Sequence, residues 1–392
     1  MNILMLAPQP FYTERGTPMN VRLMCRILGE AGHQVDLLTF PTGSEITLQN
    51  VRIIKVPNIL GVKGIPVGFS LIKIIYDVLM FFYVTTLCIR KRYQVIHGIE
   101  EGGFLAVIFA KIFRTRSIFD MDSSMSEQFA QHKIFKHSCT PAIISVLERW
   151  ALRSTDLTVT VCEALSKKAL SMAPGIEIVQ IEDIPLQEEQ PDQAVIHEVE
   201  QYLQTKGITD QPFILYTGNL EKYQGIDLLL EAWKTLANKY QQLTTNRLVI
   251  VGGAAEQIQR YQDICEQLDI SQQVVFTGAR PAKEMSVWMN KASGLVSPRS
   301  EGENTPLKIY TYMASGKPII ATAKKTHTQV LNDTVAILAA PVPLDFAEAL
   351  AICLFEPQQA AIKGAAAAQL VEEKYSYPVF QKKLLDAYNS LQ

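Results

Sequence analysis

Between Gly294 and Thr322 the chain reads GLVSPRSEGENTPLKIYTYMASGKPIIAT, which places carboxylates, cations and a helix start within a few positions of one another. The run predicts an apolar strand, a polar loop, a helix, a Gly-Lys-Pro break and a second apolar strand. Pro306 falls in the first turn, where a helix tolerates proline, and Asn304 or Thr305 is placed to cap it. A helix start offers free amide hydrogens and a positive dipole end, here from Asn304 to Leu307, and so attracts anions. Glu303 lies at its mouth, with Arg299 and Lys308 on either side. A carboxylate beside an anion site suits a molecule carrying both phosphate and sugar. The same residues also fit an ordinary strand–loop–helix of an α/β domain.

Other strand ends carry comparable groups. The loop PQPFYTERGTPMNVRLM after the first strand holds Gly16, where the backbone is open to a phosphate or sugar. It lacks the G-x-G-x-x-G pattern of a dinucleotide site. His97, Glu100 and Glu101 lie on a glycine-rich strand end and are suited to binding hydroxyls or handling protons. Asp120 and Asp122 end the next strand. Asp-x-Asp invites a divalent cation, and hydrogen bonds to loop amides explain it equally well. Further on, Gly218, Asn219, Lys222 and Gln224 form a polar loop before a helix, with Lys222 offering a phosphate contact. Gly252 and Arg280 follow two more strands.

These groups need elements to position them. Strand-like and helix-like runs alternate throughout, which predicts parallel α/β architecture. Strands are expected at Ile3–Ala7, Val35–Thr39, Val51–Val56, Val95–His97, Ser117–Asp120, Leu157–Val161 and Ile178–Ile181. A second series is expected at Phe213–Thr217, Arg247–Val251, Val274–Thr277, Gly294–Val296, Ile319–Ala321 and Ala336–Leu338. The polar, proline-bearing run Asp183–Asp192 reads as a linker. With 392 residues, two domains fit better than one. Two doubly wound domains imply a cleft, with ligands beyond the carboxyl ends of strands.

Composition narrows the function. Hydrophobic residues make up 48% of the chain and net charge is −2, so it reads as globular, without the basic face a nucleic-acid partner requires. The six cysteines are scattered with no C-x-x-C pair, which predicts free thiols in a reducing, cytoplasmic setting. The start at Met1–Leu6 reads as a strand, not a signal peptide. Residues 67–89 are strongly apolar and run into Arg90-Lys91-Arg92, with Lys73 and Asp77 inside. Their apolar positions recur at helical spacing. A helix packed on a sheet and a helix touching a membrane surface are both open readings.

In order and spacing, these residues resemble a glycosyltransferase of the GT-B fold, in the large family four that includes sucrose, lipid and polysaccharide glycosyltransferases. The resemblance takes in Gly16, Gly32-His33, His97, Gly218–Gly225, Val251-Gly252-Gly253, Phe276-Thr277-Gly278 and Pro298–Pro318, and it covers nearly the whole chain. It implies two doubly wound Rossmann-like domains facing each other across a cleft. Residues 1–185 would take the acceptor and 195–374 the nucleotide sugar, and a helix in 375–392 would cross back. The implied activity is hexose transfer from a nucleotide-diphosphate donor, UDP- or GDP-linked, with retained configuration. No metal and no cofactor is implied, and the acceptor would be a glycan or a lipid-linked molecule, with peripheral membrane association as a further expectation.

By that resemblance Glu303, Asp122 and His97 are catalytic. Gly16, Gly218, Asn219, Lys222, Gln224, Gly252, Arg280, Arg299, Asn304, Thr305, Pro306, Leu307, Lys308 and Thr311 bind the donor. Glu100, Glu101 and Asp120 meet the acceptor. The chain also departs from the family pattern. Asn219 and Gln224 stand where an Arg and a Lys commonly hold the diphosphate. Thr311, eight positions after Glu303, stands where a second glutamate grips the ribose, and Asp122 replaces a histidine. Two other readings remain: a non-catalytic GT-B binding or scaffold protein, and a sugar-nucleotide epimerase.

Overall fold

The computed structural model describes residues 1–13, 16–65, 70–131, 135, 138–186, 190–208, 211–240 and 246–392. Residues 14–15 of the first loop, 67–69 of the apolar segment and 187–189 of the linker lie outside that set. The chain divides into two compact units, Met1–Asp183 with Pro378–Gln392, and Ile184–Tyr377.

The first unit runs β1 (Asn2–Pro10), α1 (Gly16–Glu30), β2 (Gln34–Phe40), β3 (Val51–Lys55), α2 (Leu71–Arg90), β4 (Val95–Ile99), α3 (Gly102–Phe113), β5 (Arg116–Met121), α4 (Met125–Gln131), α5 (Thr140–Ser154), β6 (Leu157–Thr160), α6 (Glu163–Met172) and β7 (Ile178–Gln180). Its seven strands are all parallel in the order β3-β2-β1-β4-β5-β6-β7. Helices cover both faces of such a sheet, which is why β1 and β4 read as near-continuous apolar runs. The exception is Asp36 in β2. Burial opposes its charge, but hydrogen bonds from Tyr93, Arg52 and Lys91 outweigh this and lower its pKa. Arg52 donates to both carboxylate oxygens at 2.9 and 2.8 Å, Lys91 to one at 3.0 Å and the Tyr93 hydroxyl at 2.6 Å.

The second unit runs α7 (Gln193–Thr205), β8 (Phe213–Thr217), α8 (Ile226–Lys239), β9 (Arg247–Val251), α9 (Ala255–Gln267), β10 (Val274–Gly278), α10 (Met285–Lys291), β11 (Gly294–Ser297), α11 (Leu307–Ala314), β12 (Ile319–Thr322), α12 (Lys325–Thr328), β13 (Ile337–Ala339), α13 (Pro343–Phe355) and α14 (Pro357–Lys374). Its six strands are parallel in the order β10-β9-β8-β11-β12-β13. The closing helix, α15 (Tyr377–Asn389), packs into the first unit, where the Tyr388 hydroxyl meets His97 Nδ1 at 2.7 Å. Strand order reverses between β1 and β4 in one sheet and between β8 and β11 in the other. The carboxyl ends at those reversals are where doubly wound sheets leave room for a ligand.

Candidate functional site

The reversal in the second sheet brings three loops together: 218–225 after β8, 252–253 after β9, and 298–306 after β11. Two glycines make this approach possible. Gly252 has φ +114°, and a Cβ there would sit 2.1 Å from the Gly218 carbonyl oxygen. Gly225 has φ +74°, and a Cβ there would sit 2.1 Å from the Pro298 carbonyl oxygen. The Gly252 amide donates to the Gly278 carbonyl at 2.8 Å, the Gly218 amide to Val251 at 3.0 Å, and the Ser300 amide to Tyr223 at 3.1 Å.

Into this edge project two cations. Lys308 Nζ donates to the Thr217 carbonyl at 3.0 Å and lies 4.0 Å from the Tyr216 ring centroid. Desolvation, and then the neighbouring Arg299, push the Lys308 pKa well below its ordinary value. Arg299 lies 5.2 Å over the Tyr223 ring and donates to the Glu301 carbonyl at 2.7 Å and to Asn304 Oδ1 at 3.2 Å. Its pKa is also lowered by desolvation. Among the described residues neither cation forms an ion pair with a carboxylate. Two neighbouring desolvated cations without a counter-charge favour an incoming anion.

Beside them α11 begins at Leu307, later than the cap expected at Asn304 or Thr305. Pro306 is itself the capping residue, with ψ 134°, and no side chain caps the helix. Asn304 accepts from Arg299 instead, and Thr305 Oγ1 is buried without a partner. Proline holds the residue before it extended, so the helix cannot start earlier. The Leu307 and Lys308 amides make no hydrogen bond among the described residues, whereas Ile309 already donates to Pro306. A buried histidine, invisible as a site residue in the sequence, supports this loop from below. His327 Nε2 meets Ser297 Oγ at 2.9 Å, and its Nδ1 meets the Thr322 carbonyl at 2.9 Å. Burial lowers its pKa to about 4, so it stays neutral. Thr322 and Thr326 donate to the Arg299 and Asn304 carbonyls, which fixes the loop's path.

The other expected donor residues divide. Glu303 is exposed and 3.5 Å from Lys325 Nζ, and Lys222 is exposed on a single 3-10 turn. Asn219 and Gln224 bond each other at 3.3 Å, which joins the two ends of their loop. The Thr311 hydroxyl accepts the Leu186 amide at 3.3 Å. Arg280 Nε donates to Glu284 at 2.8 Å and its guanidinium covers the Tyr202 ring at 5.0 Å. Glu284 is buried and also accepts from Trp288. A buried carboxylate four residues along thus partners the Arg280 charge.

In the first unit Gly16 opens α1 with nothing within 4 Å of where a Cβ would lie, so the backbone is open there. His97 is corrected. It lies inside β4, two residues before the strand ends, is fully buried, and spends both ring nitrogens on Tyr388 and on Asp120 Oδ2 at 3.3 Å. Neither His97 nor the buried Asp120 is presented to solvent as a catalytic or acceptor-binding group; they brace α15 against the sheet. Glu101 is likewise held by Lys73 in an ion pair at 2.5 Å.

What remains at the carboxyl edge of this sheet is an acidic group. Burial and then Glu101 push Glu100 up to about 7, and it accepts from Ser123 at 2.9 Å. Burial, then Asp120, Glu100 and Asp183, raise Asp122 well above the carboxylate range, against a hydrogen bond from Thr17. Burial and then Asp120 push Asp183 to about 7. Burial and mutual repulsion make each of the three hold its proton to a higher pH than an isolated carboxylate does. Among the described residues no group of three or more His, Cys, Asp or Glu is arranged to hold a metal ion.

The sign of the Asp183 effect is testable. Its folded pKa of about 7 exceeds the ordinary 3.8, so the folded chain keeps a proton that the unfolded chain releases. Stability from this group is present below 3.8 and is lost as pH rises towards 7. Asp183→Asn is expected to raise unfolding free energy by roughly 1–3 kcal/mol at about pH 8 and to change it little near about pH 4. Urea melts at the two pH values check this.

Two doubly wound parallel sheets, each with its order reversed at the loops just described, define the class: the protein has the GT-B fold. Residues 211–355 match the family model described as glycosyl transferases group 1, so that part of the second unit is similar to those proteins. It is 27% identical over 181 residues, 45% of its length, to a D-inositol 3-phosphate glycosyltransferase of Corynebacterium urealyticum. That match spans 42% of the relative, so the chain covers less than half the length of the curated relatives it matches. Among solved structures it is similar to a sucrose-phosphate synthase of Thermosynechococcus elongatus, with a TM-score of 0.79 and 18% identity, covering 100% of this chain and 99% of that one. It is also similar to Anabaena HepE in complex with UDP-glucose, with a TM-score of 0.76 and 15% identity, each chain covered over 100%.

Proposed function

We propose that the protein is a retaining glycosyltransferase, moving a hexose from a UDP- or GDP-linked donor to a glycan or lipid-linked acceptor in the cytoplasm. The observation that carries this reading is the Arg299–Lys308 pair, which among the described residues has no carboxylate partner, beside the open Leu307 and Lys308 amides. In transfer the bond from the anomeric carbon to the diphosphate oxygen breaks, and the acceptor oxygen bonds the same carbon from the same face. The acceptor proton passes to the departing phosphate, so no strong base is required. Negative charge grows on the diphosphate, where preorganised cations and amides stabilise it. Exposed Glu303 would orient the sugar hydroxyls and Lys222 would add charge at the mouth. Asp122 and Glu100 would position the acceptor. The printed names of the relatives and the UDP-glucose complex of HepE support this reading.

Calorimetric titration with UDP, GDP and ADP, followed by nucleotide-release assays over a panel of sugar donors, tests it. Binding of one nucleotide and turnover of one donor is the expected result. Glu303→Ala should lower transfer by about 10²-fold with nucleotide affinity kept; full activity would remove Glu303 from the site. The mutual bond of Asn219 and Gln224, in place of two cations, favours a second reading as a non-catalytic binding protein. Failure of every nucleotide to bind at millimolar levels would support that reading. Conversion of a donor without acceptor would indicate an epimerase.

A further inference from the structure

The side of the first unit away from its sheet is unusual. Helix α2 is long and apolar enough to cross a membrane, yet only 22% of its most apolar window is buried. Its buried stripe is Tyr76, Met80, Val84 and Cys88, packed over β1 and β2. The opposite stripe presents Leu71, Ile74, Ile75, Val78, Phe82 and Ile89 to solvent, with Phe82 60% and Ile89 71% exposed. Because α2 is a crossover fixed along its length to the sheet, this stripe lies along the surface and does not span a bilayer.

The neighbouring helices extend the apolar layer. Helix α3 packs against both α2 and α5. It contributes Ile112, and α5 contributes Ile143, Val146, Leu147 and Trp150, all exposed. Scattered exposed apolar side chains are ordinary, but ten or more exposed on three helices, with α3 packed against the other two, mark an interaction surface.

Charge identifies the partner. All three helices are crossovers that run back towards the amino edge of the sheet, so their carboxyl ends gather there. That rim carries Arg90, Arg92, Lys111, Arg114, Arg149 and Arg153, all exposed. The acids of α2 and α5 are withdrawn: Asp77 is half-buried, and Glu148 is buried against the Met125 and Ser126 amides. A cleft of about 220 Å³ opens in the rim, with Cys88, Arg90, Arg92, Tyr93 and Phe113 among its lining. Asp156, paired with Arg116 at 2.7 Å, is a carboxylate at this edge, and cations outnumber it. Apolar side chains beside a predominantly cationic rim are the pattern of a helix lying in the interface of an anionic bilayer.

We propose that the α2–α3–α5 face docks on an anionic lipid bilayer, with its apolar stripe at the headgroup boundary and its arginine rim on the lipid phosphates. This inference does not depend on the donor site, which lies in the other unit, and it succeeds or fails independently of sugar transfer.

The test is flotation of the full chain with phosphatidylcholine vesicles containing about 30 mol % phosphatidylglycerol, against pure phosphatidylcholine. The wild type is expected to float with the anionic vesicles at low salt and to be released at high salt. Arg90→Glu with Arg92→Glu should lower partitioning at least about tenfold. Val78→Asp with Phe82→Asp, on exposed positions, should abolish it while circular dichroism and nucleotide titration stay unchanged. Wild-type protein left in the bottom fraction at low salt overturns the proposal. So does equal flotation with neutral vesicles, or a dimer in sedimentation velocity that the aspartates break without any flotation.

Discussion

Replacing Lys308 with methionine is expected to weaken UDP binding by about 10–100-fold and, in the same protein, to stabilise the ligand-free chain. The first effect follows from removing one charge-assisted contact to a diphosphate, worth about 1.5–3 kcal/mol. The second follows from the cost of holding a desolvated ammonium beside Arg299 with no carboxylate to answer it. Methionine keeps the length of the side chain and discards the charge, so a gain of roughly 1–2 kcal/mol is expected despite the lost bond to Thr217. The pH dependence gives a further check. The folded pKa of Lys308 lies well below 10.5, so between that lowered value and 10.5 the unfolded chain binds a proton that the folded chain lacks. Ligand-free stability therefore rises with pH across that window, and the methionine variant should lose that slope. Chemical melts and UDP calorimetry on the two proteins measure all three effects. A variant that binds UDP as well as the wild type, or that is less stable without ligand, makes Lys308 a brace instead of a ligand group.

Gly252→Ala should have the larger effect on stability. A methyl group would enter at 2.1 Å from the Gly218 carbonyl, on a residue with φ +114°. Neither backbone can give way without breaking the Gly252–Gly278 and Gly218–Val251 bonds. Overlap and an unfavourable backbone region together should cost about 3 kcal/mol or more. The surviving folded protein should bind UDP weakly, because Gly218 is displaced from the side of Lys308. Gly16→Ala is the contrast, since the space beside Gly16 is open. It should leave the urea midpoint unchanged. Parallel denaturation curves for the two alanines decide whether the Gly252 contact has the role assigned to it.

The architecture was legible because buried parallel strands leave a plain trace. Phe213–Thr217 and Arg247–Val251 are apolar, β-branched runs between polar turns, and β8 and β9 have those bounds. Helix α11 ends at Ala314, just before the Gly316-Lys317-Pro318 break visible in the sequence, although it starts later than the cap expected there. No helix was expected at Pro357–Lys374 or at Gln193–Thr205. Helix α14 is a run of alanines and glutamines without a broad apolar stripe. It packs through small residues, so closely that a Cβ on Gly364 would sit 2.3 Å from the Gly316 carbonyl. Helix α7 begins at Asp192, which caps it through the Val195 amide; read alone, that aspartate looked like part of a linker.

The candidate site was legible in residue type more than in role. Arg299 and Lys308 were singled out for their charge, but only coordinates reveal that among the described residues no carboxylate pairs with them. His97 and Arg280 show the opposite limit. Each was marked by chemistry, and each is taken up by a partner, Tyr388 and Glu284, that no local pattern places beside it. His327 carried no signal at all, because its role depends on two strand ends meeting above it.

The return of α15 makes the amino-terminal half unfinished on its own. Phe380, Leu384 and Tyr388 are buried, and Tyr388 meets His97 of a strand synthesised almost three hundred residues earlier. A ribosome-bound fragment ending near Asp183 would therefore hold a polar histidine facing an empty apolar slot. Final closure of that half has to wait until the other has been made.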